Sequence, residues 1–360
     1  MKYLSSAAAT VGVCATVAML AACSAGGSQS PPAVSAQLQQ GAGRSVSTAL
    51  VLARLPIGRA GKSIHPDRRR SWMSPDAKKK NMLLYISDEV TNDAYVYAYR
   101  GDGQVGKLVG TLSGFNVPAG ECVDKAGDVF VTNTQSQTVT EYAHGGTTSI
   151  ATLNDLPGEY PFACSIDPTT GNLAVTNLFS VYGAGSIAIF ANAEGTPTIY
   201  SGAAFQGMYY AAYDNAGNLF FDATSSGSGN FQFGELPQGG TSLETVTLNQ
   251  SIGFPGGVAW DGKYVVVGDQ NAPAVYQFTV SGGAGTEAGA TQLTGGSGIV
   301  QFATPQKRAG AKNSQAAVVI GPSCTANVTQ VWAYPAGGTA SKTLAGSGCP
   351  VAAVVSKGVR

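Results

Sequence analysis

The sequence predicts an all-β fold, a six-bladed β-propeller with four-stranded blades, behind an N-terminal segment that does not fold with it. Three observations predict this fold. A strand–turn–strand unit recurs about every 45 residues, only 12% of the residues are charged while 48 are Gly, and the C-terminal segment has the pattern of the innermost strand that the first unit lacks. Low charge and abundant Gly suit an extracytoplasmic β protein.

The recurring unit is an Asp, a tight turn and a flat apolar strand. It begins at Asp124, Asp167, Asp214 and Asp261, which are 43, 47 and 47 residues apart. Gly and Asn in the turns tolerate the positive φ that such turns need. A flat apolar strand is buried on both faces, as happens when sheets stack face to face. Six such strands predict six blades, at 82–87, 128–132, 172–176, 218–221, 264–268 and 315–320.

The two ends of the repeat region complement each other. The first unit lacks an innermost strand before Asn81, whereas spare sequence follows Gly348. Residues 349–357 have the pattern of an innermost strand, so we expect this C-terminal strand to complete blade 1 and close the ring. Closure removes open sheet edges. Residues 81–360 are therefore predicted to form one propeller.

The first 22 residues have the form of a signal peptide. Lys2 precedes an uncharged stretch that is too short and too rich in small residues for a membrane span. Residues 20–23 read Leu-Ala-Ala-Cys, which resembles the bacterial lipobox. In that family the Cys thiol receives diacylglycerol and the signal peptide is cut before it. The resemblance implies export, lipidation of Cys23 and anchoring in the cell envelope. An ordinary secretory signal with an incidental Cys is the alternative.

The residue after the Cys bears on the destination. By resemblance to the sorting rules of diderm bacteria, Ser24 in place of Asp permits passage to the outer membrane, if the host is diderm. The membrane is thus an expected partner through the N-terminal lipid.

Charge divides the chain into two parts. Residues 24–80 contain ten Lys and Arg and two Asp, a net charge of +8, whereas residues 81–360 contain ten and nineteen, a net charge of −9. We expect residues 23–80 to form a disordered, flexible basic tether. It is either simply solvated or attracted to anionic lipid headgroups. Export argues against a nucleic acid partner, and we expect a monomer.

Four Cys remain after Cys14 and Cys23, an even number in an oxidising compartment. Cys122 and Cys164 lie on innermost strands of neighbouring blades. Cys324 and Cys349 lie in connections that emerge on the same rim. We therefore pair Cys122 with Cys164 and Cys324 with Cys349, so that the second bond locks the closure. Four free buried thiols are the alternative.

The repeat resembles the NHL family of six-bladed propellers, which carries Pro-x-Gly, Asp-x-x-Gly-Asn-Val-Tyr-Val and a terminal Asp. Four blades match this pattern well, and the first and sixth match loosely, over most of residues 81–357. The resemblance implies the fold. It implies no single function, because such propellers serve as binding platforms, enzymes and scaffolds.

Two sets of residues are candidate sites on one rim of the ring. Oxygen-bearing side chains that end the flat strands could gather a hard cation such as calcium, or could each cap a loop: Asp88, Asn133, Asn177, Asp222 and Asp269. Aromatic side chains in the same loops could bind a glycan, a peptide or another protein, or could pack between blades: Tyr160, Phe162, Tyr209, Tyr210 and Phe254.

The similarity to calcium-dependent propeller lactonases is partial. Those enzymes carry Asn in a Pro-Asn-Gly loop before the innermost strand. The corresponding loops here read Pro-Ala-Gly at 118–120 and Pro-Gly-Gly at 255–257.

The sequence predicts no catalytic residues. Its two His are His65, in the tether, and His144, which takes the place of Gln238 and Ala336 in equivalent turns. Neither a Ser-His-Asp triad nor a His-ligated zinc is therefore expected. We expect an envelope-anchored lipoprotein whose propeller is a non-enzymatic platform that binds a ligand or partner, without a cofactor. The alternatives are a calcium-dependent hydrolase and a structural envelope protein.

Overall fold

The computed structural model describes residues 70–101, 103–181, 183–305 and 318–358. The expected signal peptide, Cys23 and most of the expected tether lie outside these residues. The described part contains β-strands and three short 3-10 turns, at Ala77–Lys79, Thr134–Ser136 and Ala191–Ala193. Within it, no helix has the length and apolar character needed to cross a bilayer.

The strands follow the predicted repeat. In chain order they are β1 (Trp72–Met73), β2 (Met82–Asp88), β3 (Asp93–Tyr99), β4 (Val105–Ser113), β5 (Pro118–Val123), β6 (Val129–Asn133), β7 (Thr138–Tyr142), β8 (Ser149–Asn154), β9 (Glu159–Ile166), β10 (Leu173–Ser180), β11 (Ser186–Phe190), β12 (Thr198–Tyr200), β13 (Phe205–Tyr213), β14 (Leu219–Ser225), β15 (Phe231–Leu236), β16 (Glu244–Leu248), β17 (Pro255–Trp260), β18 (Val265–Asp269), β19 (Ala274–Ser281), β20 (Ala284–Thr294), β21 (Val318–Ser323), β22 (Val328–Ala333), β23 (Gly337–Ala345) and β24 (Pro350–Lys357).

These strands form the six predicted blades. Blade 1 has the order β24-β2-β3-β4, with β1 added outside β4, and blades 2 to 5 are β5–β8, β9–β12, β13–β16 and β17–β20. Blade 6 contains β21–β23. Its innermost segment, residues 299–304, is irregular and meets β21 through isolated bridges, Ile299 with Ser323 and Ala303 with Ile320.

The predicted closure is confirmed. β24 pairs antiparallel with β2 along its length, from Met82 opposite Lys357 to Asp88 opposite Pro350. The same strand packs against the first turn of blade 2. Gly127 there has φ of 87°, and an added Cβ would collide with the carbonyl oxygen of Lys357. Gly is therefore required both by the turn and by the approach of the closing strand.

The segment from residue 70 to residue 81, which we call the leading segment, belongs to the propeller. Trp72 pairs with Thr111 on β4, and Ala77 is fully buried. His144 joins the segment to the ring, since its Nε2 lies 2.9 Å from the Lys80 carbonyl oxygen and its Nδ1 lies 2.6 Å from the Ser356 hydroxyl. The tether boundary expected at residue 80 is therefore too late, because these residues gain backbone pairing and burial on blade 1.

Hydroxyl side chains join each blade to the next near the axis. Thr132 Oγ1 accepts from the Gly120 amide (2.7 Å) in its own blade and donates to the Phe162 carbonyl (2.9 Å) in blade 3. Thr176 repeats the pattern one blade on, donating to the Tyr209 carbonyl at 2.6 Å. Both contacts lie where the innermost strand is out of regular register. The hydroxyls thus bond backbone groups that the irregular ladders do not pair.

The leading Asp of each unit caps its own turn. Asp124 Oδ1 accepts from the Asp128 amide at 2.8 Å, and Asp167 Oδ1 accepts from the Thr169 amide at 2.7 Å. Asp261 does the same for Lys263 at 2.8 Å. This recurring side-chain-to-backbone bond explains why the repeat begins with Asp.

The outer edges of three blades are also joined, which the repeat did not predict. The long strand β20 pairs in parallel with β16 of blade 4, through Thr247 opposite Ala284, and with β23 of blade 6, through Leu293 opposite Gly338. Blades 4, 5 and 6 therefore share one continuous sheet edge instead of presenting three open ones.

Both predicted disulfides are present. Cys122–Cys164 joins β5 to β9, and Cys324–Cys349 joins the end of β21 to the start of β24. The first bond couples blades 2 and 3. The second fastens blade 6 to the closing strand of blade 1.

One carboxyl group is buried beside the closure. Glu121, on β5, is 1% exposed and accepts a hydrogen bond from the Ser87 hydroxyl at 2.8 Å. Its backbone amide donates to the side chain of Gln301 in blade 6 at 2.9 Å. Burial raises the pKa of Glu121 to about 8, although the bond from Ser87 lowers it in part. The side chain is thus largely neutral at pH 7.

We predict that the Cys324→Ser/Cys349→Ser variant loses about 3 kcal/mol of unfolding free energy, because the lost bond closes a loop of 25 residues. Urea titration of wild type and variant measures the loss. The variant should also respond to reductant only through Cys122–Cys164. Equal stabilities in the absence of reductant would contradict a locking role.

We predict that the free energy of unfolding falls between about pH 5 and pH 8 as Glu121 is forced to ionise. Its folded pKa lies above the unfolded value of 4.5, so in this window the folded state binds one more proton than the unfolded state. The free energy of unfolding therefore decreases by roughly 1 kcal/mol for each pH unit. The Glu121→Gln variant should match wild type near pH 5 and exceed it at pH 8. Exposed Glu244→Gln serves as control and should leave the slope unchanged.

Candidate functional site

The proposed cation ligands do not share one structural position. Asp88, Asn133 and Asp269 do end their strands, β2, β6 and β18. β10 and β14, however, continue to Ser180 and Ser225, so Asn177 and Asp222 lie inside strands. Asp222 occupies the register of the bridging Thr132 and Thr176, and its Oδ1 accepts from the Tyr210 amide of the innermost strand at 2.8 Å.

These side chains already form hydrogen bonds within the protein, mostly with backbone amides. Asp88 Oδ1 accepts from the Val90 and Thr91 amides at 3.0 Å. Asn133 Oδ1 accepts from Asn116 at 2.6 Å, and Asp269 accepts from Gly253 and Phe254 at 2.8 and 3.1 Å. Asn177 donates to the Ser186 hydroxyl at 3.1 Å. Asp88, Asn133 and Asp269 therefore cap loops, which was the alternative to cation binding.

Asp222 is also unsuited to a cation by charge. Burial raises its pKa to about 8, and hydrogen bonds from the Tyr210, Gly256 and Gly257 amides only partly offset that rise. A carboxyl group that is mostly protonated at pH 7 is a poor ligand for a hard cation.

In the described part of the chain, two groups of three acidic, Cys or His side chains have ligand atoms within 4.8 Å of one another. Neither group contains any of the five proposed cation ligands. One is Glu89 with Cys324 and Cys349, whose sulfurs are joined in the disulfide. The other is Asp124, Asp128 and Glu141, at the opposite end of blade 2.

The five candidate aromatic residues are packed near the axis. Tyr160, Phe162, Tyr209 and Tyr210 are at most 4% exposed, and Phe254 packs against them. The ring centroid of Phe162 lies 5.7 Å from that of Tyr209 and 5.4 Å from that of Tyr210. The centroids of Tyr209 and Phe254 are 5.4 Å apart. Their cluster includes residues of all six innermost segments, among them Ala119, Val258, Val300 and Val351. The packing of these residues between blades, which was the alternative to ligand binding, is what the structure shows. These residues fill the axis because inward-facing side chains of six blades meet there.

The described surface does contain a groove between blades 2 and 3. Its volume is about 520 Å³. One wall comes from the first turn of blade 2 and from β7 and β8, and the other comes from the first turn of blade 3 and the residues after β11. The acidic lining is Asp124, Glu141, Asp167 and Glu194, beside a single Lys125. The apolar lining is Phe130, Ile150, Leu153 and Ile166.

Carboxyl groups on the acidic side of the groove are partly buried and repel one another. Burial raises the pKa of Glu141 to about 7, and the charges of Asp128, Asp124 and Glu194 raise it further. Burial also raises the pKa of Asp128, with Asp124 adding to the effect. Burial would raise the pKa of Asp167 as well, but hydrogen bonds from Thr170 and Thr169 outweigh burial, so the pKa of Asp167 is lowered. A cation in the groove would relieve this repulsion.

The apolar wall includes an exposed side chain. Ile150 on β8 is 55% exposed, so a ligand would find both apolar surface and negative charge in one groove.

The sequence contained part of this site without identifying it. Asp124 and Asp167 mark the repeat, and the disulfide prediction makes their blades neighbours. Equivalent turns of adjacent blades lie at the same end of a propeller, so these two Asp residues could have been placed together. Glu141 and Glu194 belong to no repeat pattern, and their approach depends on how the blades pack.

The structural role of His144 could not be predicted from the repeat, because the equivalent turns carry Gln238 and Ala336. Burial lowers its pKa, partly offset by its bond to the Lys80 carbonyl and by Asp128. The side chain is therefore predominantly neutral at pH 7, and its contacts to Lys80 and Ser356 are structural.

No protein-family model and no curated protein matches this sequence. Solved structures do match. A chain of a nidogen/laminin complex has 11% identity and a TM-score of 0.61, covering 76% of this chain and 98% of that chain. A hydrazine synthase chain of Kuenenia stuttgartiensis has 14% identity and a TM-score of 0.50, covering 77% of this chain and 79% of that chain. At these identities the similarity establishes the fold, which is a β-propeller.

Proposed function

We propose that this protein is an exported, lipid-anchored propeller that binds a cationic, partly apolar ligand in the groove between blades 2 and 3, without catalysing a reaction. The groove carries the proposal, because it combines about 520 Å³ of space with apolar and acidic walls. Tyr160, Phe162, Tyr209 and Tyr210 are buried near the axis, so we assign ligand binding to the groove and not to these aromatic residues.

The groove indicates the chemistry of the ligand. Four carboxylates face it against one Lys, so an amine or guanidinium group would meet complementary charge. Phe130, Leu153 and Ile166 offer contact to an aliphatic or aromatic portion of the ligand. A short basic peptide with apolar side chains satisfies both requirements.

Export and anchoring stay part of the proposal on the strength of the N-terminal sequence. Residues 1–23 carry the signal pattern and the lipobox-like Leu-Ala-Ala-Cys. The two disulfides are what an oxidising compartment allows. The repeat motif supports an NHL-like type of propeller.

We predict that an amidated Phe-Lys-Phe-Lys peptide binds wild type and that Glu141→Gln/Glu194→Gln binds it about tenfold more weakly, because two groove charges are lost. Fluorescence polarisation with labelled peptide measures the affinity. Binding to wild type should strengthen from pH 6 to pH 8 as Glu141 ionises, since its pKa is about 7.

The matched control is Glu235→Gln/Glu244→Gln, which removes two carboxylates from paired strands of blade 4. It should bind like wild type. An equal loss in both double variants would show a non-specific charge effect and would refute the groove as the binding site.

We predict that Cys23→Ser releases the protein from membranes after a high-salt wash, whereas the wild type stays in the membrane fraction because its lipid is covalent. Cell fractionation and incorporation of labelled fatty acid measure the difference, and an unchanged melting temperature shows that the ring still folds. Retention of the variant through the wash would contradict a lipid anchor on Cys23.

A further inference from the structure

We propose that blade 1 is a second membrane contact, in which its outer edge and the leading segment bind anionic phospholipid headgroups. This surface lies on a different blade from the groove. The proposal rests on the lipid anchor only to bring a bilayer within reach, because the charge and exposure of blade 1 are independent of it.

Within the described residues, the basic side chains are concentrated on this one blade. Ten Lys and Arg lie in the described residues, and seven of them belong to blade 1 and its leading segment. Six lie outside the closing strand: Arg70, Lys78, Lys79, Lys80, Arg100 and Lys107. The seventh is Lys357, at the end of β24. All seven are exposed.

The acidic residues have the opposite distribution. The other five blades carry three Lys against fifteen Asp and Glu in the described residues. In blade 1, Asp88, Glu89 and Asp93 are buried, which leaves Asp76 as the exposed acid of its described part. In the described part of the ring, blade 1 is therefore positive and the other blades are negative, and an anionic surface would attract the described ring by blade 1.

Apolar side chains accompany the charge. Trp72 on β1 is 48% exposed and Leu108 on β4 is 37% exposed, and β1 pairs directly with β4. A cavity of about 470 Å³ lies beside Trp72, lined also by Met73 and Lys78. Trp is favoured at the level of lipid headgroups, where its apolar ring and polar N–H are both accommodated. An exposed Trp beside Lys78, on a blade that carries further Lys and Arg, suits a bilayer surface better than an isolated anion.

The position of the surface in the chain agrees with this orientation. The leading segment follows directly on the basic stretch that begins at the proposed anchor, with 46 residues between Cys23 and Arg70. The chain therefore approaches the ring at its basic blade. Docking through blade 1 would hold the ring on its edge.

The test uses the unlipidated Cys23→Ser protein and vesicles of phosphatidylcholine with or without phosphatidylglycerol. We expect co-sedimentation with the anionic vesicles, lost at high salt. Trp72 emission should shift to the blue, and brominated lipids should quench it. Trp332 is buried and Trp260 on β17 of blade 5 is partly buried. The Trp72→Phe variant therefore identifies the part of the emission change that comes from the contact, because it keeps both of the other Trp.

Two triple variants of equal charge localise the contact. Lys79→Gln/Lys80→Gln/Lys107→Gln should weaken vesicle binding on the order of a hundredfold, if each Lys near the surface contributes the usual amount. Lys125→Gln/Lys263→Gln/Lys342→Gln removes the three described Lys of the other blades and should bind like the parent protein. Thermal melting checks that both variants fold.

Three results would overturn the proposal. Equal weakening in the two triple variants would mean that only net charge matters. Binding without a change in Trp72 emission would place the contact in the basic stretch before residue 70. Equal binding to neutral vesicles would exclude anionic headgroups. None of these results bears on peptide binding in the groove, so the two proposals can fail separately.

Discussion

The pairing of β24 with β2 is the interaction on which the rest of the structure depends. It joins residues about 270 positions apart in sequence and gives blade 1 the innermost strand that its own sequence lacks. Without it, β2 would be left as an unpaired edge of blade 1 near the axis. Gln301 strengthens this junction, because its side chain holds Glu121 of blade 2 while its carbonyl accepts from Ala353 of the closing strand. The Cys324–Cys349 bond fastens the same junction covalently.

Closure also explains how polar side chains are used inside the ring. Six innermost strands converge, so their ladders are irregular, and side chains such as Thr132, Thr176 and Asp222 bond the backbone groups left over. The repeated oxygen-bearing residues are consequences of this geometry. Their recurrence looks like a ligand ring in sequence, whereas the structure uses most of them to hold strands and loops.

Charge is arranged by blade. Carboxylates face the groove between blades 2 and 3, while the Lys and Arg that the structure describes are concentrated on blade 1 and the leading segment. The net charge of zero conceals this separation. A ring polarised in this way can meet a negative surface with one sector and a cationic ligand with another, so the proposed membrane contact and the proposed ligand binding use different side chains.

The blade count, the closing strand and both disulfides could be predicted from the sequence, because these depend on repeats whose period and hydrophobic pattern are local and regular. The sequence also contained Asp124 and Asp167 of the groove. Tertiary structure alone decided that Tyr209 and Tyr210 lie in the core, that β1 belongs to blade 1, and that Glu141 and Glu194 meet across a groove. The reason is physical: the repeat specifies what each blade looks like, but burial and charge proximity depend on how neighbouring blades pack, and no single blade encodes that packing.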